Sequence, residues 1–203
     1  MKNKTCVCDC CGHGGAVRIG EAVPAISFNV YHKDKEGKMN LGDFKGKWLI
    51  LFFYPADFTF VCPTELEDMA NHYAAFNKEG AEVVSVSTDS VYTHKAWYDT
   101  SPAIKKIMFP MASDRRHELS HAFGVHIEDE GQSLRGSFII DPEGKLQAYE
   151  VHADGIGRNA KELLRKFQAA KYVHDHGNKQ VCPANWNPGD DTLEPGMDLV
   201  GKI

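Results

Sequence analysis

Cys62 is the residue whose surroundings most clearly invite chemistry. It lies in Phe53-Tyr54-Pro55-Ala56-Asp57-Phe58-Thr59-Phe60-Val61-Cys62-Pro63-Thr64-Glu65, after the apolar run Trp48-Leu49-Ile50-Leu51-Phe52-Phe53 and before apolar residues spaced by three and four. The run reads as a buried strand and the spacing as one face of a helix. The cysteine therefore falls where a strand hands over to a helix N-terminus. Amide groups there are unpaired and carry partial positive charge, so an anion is stabilised. Because the thiolate is the nucleophilic form of cysteine, Cys62 is a candidate nucleophile. Taken without its neighbours, it reads more readily as an inert buried cysteine than as a nucleophile, since free cysteine is among the most buried residue types.

The other cysteines raise different chemistry. Cys6, Cys8, Cys10 and Cys11 crowd into six residues with His13 close behind, while Cys182 stands alone near the other end. That distribution is not a disulfide framework. The crowded thiols suit a soft metal such as Zn or Cu(I), or a thiol relay, although their spacing is not the paired Cys-x-x-Cys of a structural zinc site. The alternative is a polar tail with incidental thiols. His174-Asp175-His176 reads as a solvated helix end rather than a metal site.

The elements that must position these residues follow from periodicity. Residues 1–17 are a Cys- and Gly-rich tail, and the folded domain spans 18–172. A strand is expected at 26–31, a turn at 34–38 leading to 39–41, and the strand 48–53. Leu66, Met69, Ala70, Tyr73 and Phe76 mark a helix stopping at Gly80, with capping-box spacing from Thr64 to Glu67. A buried strand at 83–87 follows, then a helix containing His94 and Trp97, a short strand at 109–114, and a helix at 118–123. A hairpin pairs 137–140 with 145–151 across Asp141-Pro142-Glu143-Gly144, and a last helix covers 159–172. Alternating strands and helices with an antiparallel hairpin make an α/β domain with a mixed central sheet flanked by helices. Residues 173–203 form an irregular C-terminal arm, too apolar at its end to be plain linker.

Composition narrows the function classes. A net charge of -5 and a pI near 6.0 leave no basic stripe for nucleic acid or an anionic membrane. No apolar run approaches the roughly 18 residues of a membrane span, and no apolar core of a secretion signal stands in the first twenty residues, so the expected location is cytoplasmic. There is no Gly-rich nucleotide motif, so no bound cofactor is expected and any electrons come from another protein.

Together the motifs carry a family likeness. Pro55, Thr59 and Cys62 have the Pro-x-x-x-Thr-x-x-Cys spacing of peroxiredoxins, and 52–65 as a whole resembles the typical two-cysteine group. Thr88-Asp89-Ser90 with His94 and Trp97, Arg135-Gly136-Ser137-Phe138-Ile139-Ile140-Asp141-Pro142, and Val181-Cys182-Pro183-Ala184-Asn185-Trp186 fall in the family's order. The closing Asp198-Leu199-Val200-Gly201-Lys202-Ile203 resembles the peroxidase component of bacterial alkyl hydroperoxide reductases. The likeness covers residues 18–203.

The resemblance implies a thioredoxin-like fold and a thiol peroxidase cycle acting on hydrogen peroxide and organic hydroperoxides. By resemblance, Cys62 is the peroxidatic cysteine and passes through a sulfenic acid, and Cys182 resolves it to an intersubunit disulfide. A homodimer, assembling further to a decamer, and a flavoprotein disulfide reductase or thioredoxin as electron donor are implied in the same way. Thr59 orients the peroxide, Pro55 shields the site, Arg135 donates to thiolate and oxygen, and Glu65 holds arginine side chains. Trp97 is expected to pack nearby. Chemistry requires such helpers: a free thiol near pKa 8.5 is only a few per cent ionised at neutral pH, so full ionisation gains only about 30-fold, or roughly 2 kcal/mol.

Other classes fit less well. A dithiol reductase needs a cysteine where Glu65 stands, and a copper chaperone of the same fold needs one where Leu66 stands. An oligomeric holdase chaperone is the remaining alternative, one whose activity survives loss of Cys62. No Gly-Gly-Leu-Gly occurs between Ile107 and Arg135 and no Tyr-Phe pair in the last twenty residues, which by resemblance implies resistance to overoxidation.

Overall fold

A computed structural model of the chain describes residues 15–203. The four clustered cysteines and His13 lie outside the described residues.

The middle of the sheet is β3 (Trp48–Phe53), and its sequence explains why. All six side chains are buried. Ile50 and Phe52 pack into one core cluster while Leu49, Leu51 and Phe53 pack into another, so the strand is covered on both faces. Each such side chain contributes about 1.5–3 kcal/mol on leaving water. β3 pairs in parallel with β4 (Ala81–Ser87), which pairs in parallel with β5 (Met111–Ser113). On its other side β3 pairs antiparallel with β8 (Arg135–Ile140), which pairs antiparallel with β9 (Leu146–His152). β1 (Ser27–His32) and β2 (Lys35–Asn40) complete a seven-stranded mixed sheet in the order β2-β1-β5-β4-β3-β8-β9.

Helix α1 (Cys62–Lys78) presents Cys62, Leu66, Met69 and Phe76 to the same core cluster as α2 (Val91–Thr100) and α4 (Ala160–Asp175). The opposite cluster is closed by α3 (Glu118–Ala122) and the residues after it, through Leu119, Phe123 and Val125. A two-stranded ribbon, β6 (His126–Ile127) and β7 (Gln132–Ser133), precedes β8.

Two local expectations need correction. The turn near residue 35 is not 34–38 but Lys33-Asp34, both left-handed with φ of 51° and 60°, and Lys35 already pairs with His32. β2 is an exposed edge strand whose charges blunt further pairing, and that polarity imitates a turn. The capping box at Thr64 and Glu67 also does not form. The N-cap of α1 is Val61, with no side-chain cap; Thr64 Oγ1 donates back to the Val61 carbonyl and Glu67 meets Lys106 instead.

The C-terminal arm folds back on α4. Trp186 is buried, its carbonyl accepts from Arg165, and its ring lies 5.2 Å from Tyr172. A bridge between Val181 and Leu193 closes the loop that carries Cys182.

Candidate active site

The site is assembled where three chain segments meet the first turn of α1. Cys62 is the first residue of that helix and Glu65 lies one turn on, so the two face the same way. Arg135 opens β8, next to β3, and Arg158 sits in the loop that enters α4. That loop packs beside α1: a Cβ at Gly157 would make ordinary contact, 3.4 Å from Val61 Cγ1 and 4.0 Å from Glu65 Cγ.

Cys62 is fully buried, and Arg135 Nη1 donates to its Sγ at 3.3 Å. The same Nη1 donates to Glu65 Oε2 at 2.8 Å, while Nη2 reaches Asp154 Oδ1 at 2.9 Å. Arg158 grips Glu65 from the other side, Nε to Oε1 at 2.8 Å and Nη2 to Oε2 at 3.1 Å, and its Nη1 donates to the Gly136 carbonyl at 2.8 Å. Its guanidinium carbon lies 3.5 Å from the centroid of Phe52.

Charge counting shows what the cluster can do. Two guanidinium groups and one carboxylate are buried together, and the excess positive charge beside the sulfur is met from the solvent side by the exposed Asp154 carboxylate. At 3.3 Å and an effective dielectric near 20, the Arg135 guanidinium alone attracts a thiolate by about 5 kcal/mol, a pairwise figure that Glu65 and Asp154 reduce. Burial works to raise the Glu65 carboxyl, but hydrogen bonds and charge from Arg158, with Arg135, outweigh it and hold it below the usual range. Burial likewise opposes the charge on Arg135, and Cys62 and Glu65 more than restore it, so the group titrates above an ordinary arginine.

The loop before Cys62 is pinned independently. Thr59 Oγ1 donates to the Ala56 carbonyl at 2.9 Å, and Phe58 adopts a left-handed φ of 57°. Pro55 is buried. Asp57 accepts from Tyr54 Oη at 2.7 Å, its amide donates to Asp89 at 2.8 Å, and its second oxygen lies 2.8 Å from His94 Nδ1. His94 Nε2 must be protonated, because its 3.2 Å partner is the Ala112 carbonyl, which can only accept. One further proton sits between Asp57 and His94, and burial pushes the Asp57 carboxyl upward.

Of the residues expected at the site, Cys62, Glu65 and Arg135 are in direct contact, and Pro55 and Thr59 shape the preceding loop. Trp97 is buried against the rings of Tyr54 and Phe58, at 6.1 and 5.9 Å between centroids. Cys182 is elsewhere: its Sγ lies 3.8 Å from the Ala169 carbonyl on α4, and both Cys62 and Cys182 are free thiols. Burial raises the Cys182 thiol, with Arg165 opposing. Arg158, Asp154 and Asp57 escape the sequence reading; the available signal is a lone arginine in the Gly-rich entry to α4. His174 meets Glu143 at 2.9 Å and the His176 ring stacks on Tyr172, so the pair serves the end of the helix.

Comparison with known proteins agrees with this geometry. Residues 19–149 match the family model described as the AhpC/TSA family, and residues 169–198 match the one described as the C-terminal domain of 1-Cys peroxiredoxin. The alkyl hydroperoxide reductase C of Pseudomonas aeruginosa is 48% identical over 185 residues, covering 91% of this chain and 98% of that protein. A crystal structure of Enterococcus faecalis AhpC matches with a TM-score of 0.78 at 48% identity, over 81% of this chain and 98% of that one. A reduced Plasmodium vivax 2-Cys peroxiredoxin matches with a TM-score of 0.84 at 34% identity, over 89% and 94%.

Proposed function

The chain belongs to the AhpC/TSA family, and on that premise we propose that its peroxidase chemistry runs through Cys62. The fold is thioredoxin-like and the protein is a thiol-dependent peroxidase, as its alkyl hydroperoxide reductase and peroxiredoxin relatives indicate. The observation that carries the assignment is the 3.3 Å contact from Arg135 Nη1 to Cys62 Sγ at a helix N-terminus.

The Cys62 thiolate attacks one oxygen of a hydroperoxide. An S–O bond forms as the O–O bond breaks, sulfur is oxidised to sulfenic acid, and the other oxygen leaves with the bonding electrons to become water or an alcohol on protonation. Arg135 is placed to donate to sulfur and to the incoming oxygens together. The Thr59 hydroxyl commits its proton to Ala56, so what it offers the peroxide is a lone pair that accepts the O–H and fixes its orientation. Pro55, buried at the start of the loop, keeps water from the sulfur. Glu65 holds Arg135 and Arg158 in register.

Cys182 is the resolving thiol: its sulfur displaces the sulfenic oxygen as water and leaves a disulfide. In one chain Cys182 packs on Ala169, about 15 Å along α4 from the end that adjoins the site, an arrangement that supports delivery of the resolving thiol from a second copy. Met197, Val200 and Ile203 at the tip of the arm are exposed apolar residues suited to docking on that copy. Phe60, 92% exposed beside the site, suits further assembly toward a decamer. Cys62 is buried, so the first turn of α1 must unwind to meet Cys182, which the uncapped Val61 start favours. In this reading residues 18–172 carry the peroxidase chemistry and 173–203 deliver the second thiol. A flavoprotein disulfide reductase or thioredoxin then reduces the disulfide. Among the described residues Cys62 and Cys182 are free thiols, which suits a reducing compartment, and we assign the protein to the cytoplasm.

Replacing Cys62 by serine should abolish consumption of hydrogen peroxide and of an organic hydroperoxide in a coupled assay with a disulfide reductase. Sustained turnover by that variant would sink the assignment.

A further inference from the structure

Three histidines outside the peroxidase site converge on one point. One nitrogen each from His117, His121 and His126 lies within 4.8 Å of the others. The ring of His126 stands 4.4 Å from that of His117 and 4.3 Å from that of His121. Among the described residues this is the one group of three or more potential ligands with such spacing.

The backbone sets this convergence up. His117 is the N-cap of α3 and its carbonyl accepts from the His121 amide at 3.0 Å, which sets their rings 6.4 Å apart. His117 holds a left-handed φ of 57°, a costly conformation for a residue with a side chain. Asp114 fixes the helix beneath them, accepting from the amides of Leu119 at 3.0 Å and Ser120 at 2.7 Å. After α3 the chain reverses at Gly124, with φ of 66°, and returns His126 beside both rings on β6.

The surroundings have the character of a ligand shell. His126 Nδ1 lies 3.4 Å from the Ser120 hydroxyl, which itself donates to the His117 carbonyl, so Nε2 is the nitrogen left to ligate. Glu128 spans the open side, Oε1 3.6 Å from His121 Nδ1 and Oε2 3.6 Å from His126 Nε2. A tetrahedral cation bonded to nitrogen at about 2.0–2.1 Å holds its ligands about 3.3 Å apart, so the observed spacing closes with ring shifts of about 1 Å.

We propose that His117, His121 and His126, with the Glu128 carboxylate, bind a divalent first-row cation, zinc being the expected occupant. Three imidazoles and one carboxylate suit the borderline ions and are poor partners for calcium or magnesium, which take oxygen. Bound there, the ion clips α3 to the β6–β7 ribbon. That ribbon leads into Arg135, and its Ser133 hydroxyl donates to the Tyr54 carbonyl at 2.9 Å. The site therefore braces the segment that delivers Arg135 without touching Cys62.

Equilibrium dialysis against Zn(II) tests this on the reduced full-length chain carrying Cys6→Ser, Cys8→Ser, Cys10→Ser and Cys11→Ser, which silences the N-terminal thiols. We expect one zinc per chain and a higher melting temperature with zinc. Co(II) in its place should show a tetrahedral d–d spectrum without a thiolate charge-transfer band. His117→Ala and His126→Ala should each weaken binding by at least ~100-fold, since even outer-shell partners of such sites are worth about 10–100-fold. Failure of the thiol-silenced chain to retain zinc, a sulfur-ligated Co(II) spectrum, or undiminished binding by both folded histidine variants overturns the proposal. The Co(II) spectrum needs no histidine substitution and stays decisive should those variants not fold.

Discussion

Glu65 accepts from Arg158 through both carboxylate oxygens, and only one of those oxygens is shared with Arg135. The carboxylate is thus anchored by the arginine that does not touch sulfur, which leaves Arg135 free to face Cys62. Replacing Arg158 by methionine keeps most of the volume but lowers the buried charge of the trio from +1 to zero. The expected cost is about 3–5 kcal/mol of stability, the usual penalty for breaking a buried pair by removing one partner. The rate of Cys62 oxidation should fall as well, although no contact to the sulfur is removed. Chemical denaturation and single-turnover stopped-flow with hydrogen peroxide read the two effects.

Direct loss of the sulfur contact should be more severe. Lysine at position 135 keeps a charge but cannot serve Cys62, Glu65 and Asp154 at once, because it lacks the planar fork. Arg135→Lys should lower kcat/KM for hydroperoxide by about 10²–10³-fold, the range for removing one oriented donor at a developing charge. A change of less than about threefold, by contrast, would assign Arg135 a structural part only.

Acid stability follows from the Glu65 carboxyl, which the folded protein holds below its ordinary range. A group depressed on folding stabilises above its unfolded pKa, near 4.3 for glutamate, and that stabilisation disappears as pH falls through the depressed value. Glu65→Gln should therefore melt well below wild type at pH 7, with the gap narrowing below about pH 4. Asp57 runs oppositely: burial raises it, so its contribution is present at low pH and is lost as pH rises through its folded value. Melting temperatures of both proteins from pH 3 to pH 8 separate the two, since Asp57 is common to them and cancels in the difference.

Cys182 should be separable from Cys62 by stoichiometry. Cys182→Ser should consume one equivalent of peroxide per chain and halt with a sulfenic acid that a dimedone probe captures. Wild type oxidised without reductant should run as a disulfide-linked dimer on a non-reducing gel. A monomeric oxidised band would place the disulfide within one chain and contradict the route through a second copy.

What the sequence reveals and what it conceals divide along physical lines. The handover from β3 to α1 is legible because a continuous apolar run and a three-and-four spacing are local signals, and they place Cys62 at the helix start. Arg135 is reachable only through the family likeness. Arg158 is not, since it lies 93 residues from Glu65 and its short polar loop looks solvated until the fold packs it against α1. The histidines illustrate the same limit: His174 and His176 stand out by adjacency, yet their rings serve Glu143 and Tyr172. His117, His121 and His126 meet because a left-handed residue and a glycine reversal fold them together, and periodicity does not report such turns. β2 reads as a turn because an edge strand protected by charge has the composition of a loop.

Asp57 offers the test of how much the loop before Cys62 depends on its anchor. It ties Tyr54, His94 and Asp89 to the segment between Pro55 and Thr59, all without contacting the sulfur. Asp57→Asn keeps the shape, still accepts from the tyrosine and can donate an amide N–H to His94 Nδ1, so the substitution removes the carboxylate while leaving each partner a hydrogen bond. Losing the ionisable member of these hydrogen bonds should cost about 1 kcal/mol of stability. If the anchor matters only for folding, peroxide kinetics at temperatures well below melting should be unchanged. If it positions Thr59, KM for hydroperoxide should rise more than kcat falls, because an acceptor that orients bound substrate has been displaced. The second outcome is expected, as Phe58 is held at a positive φ that the loop abandons once its restraint is weakened.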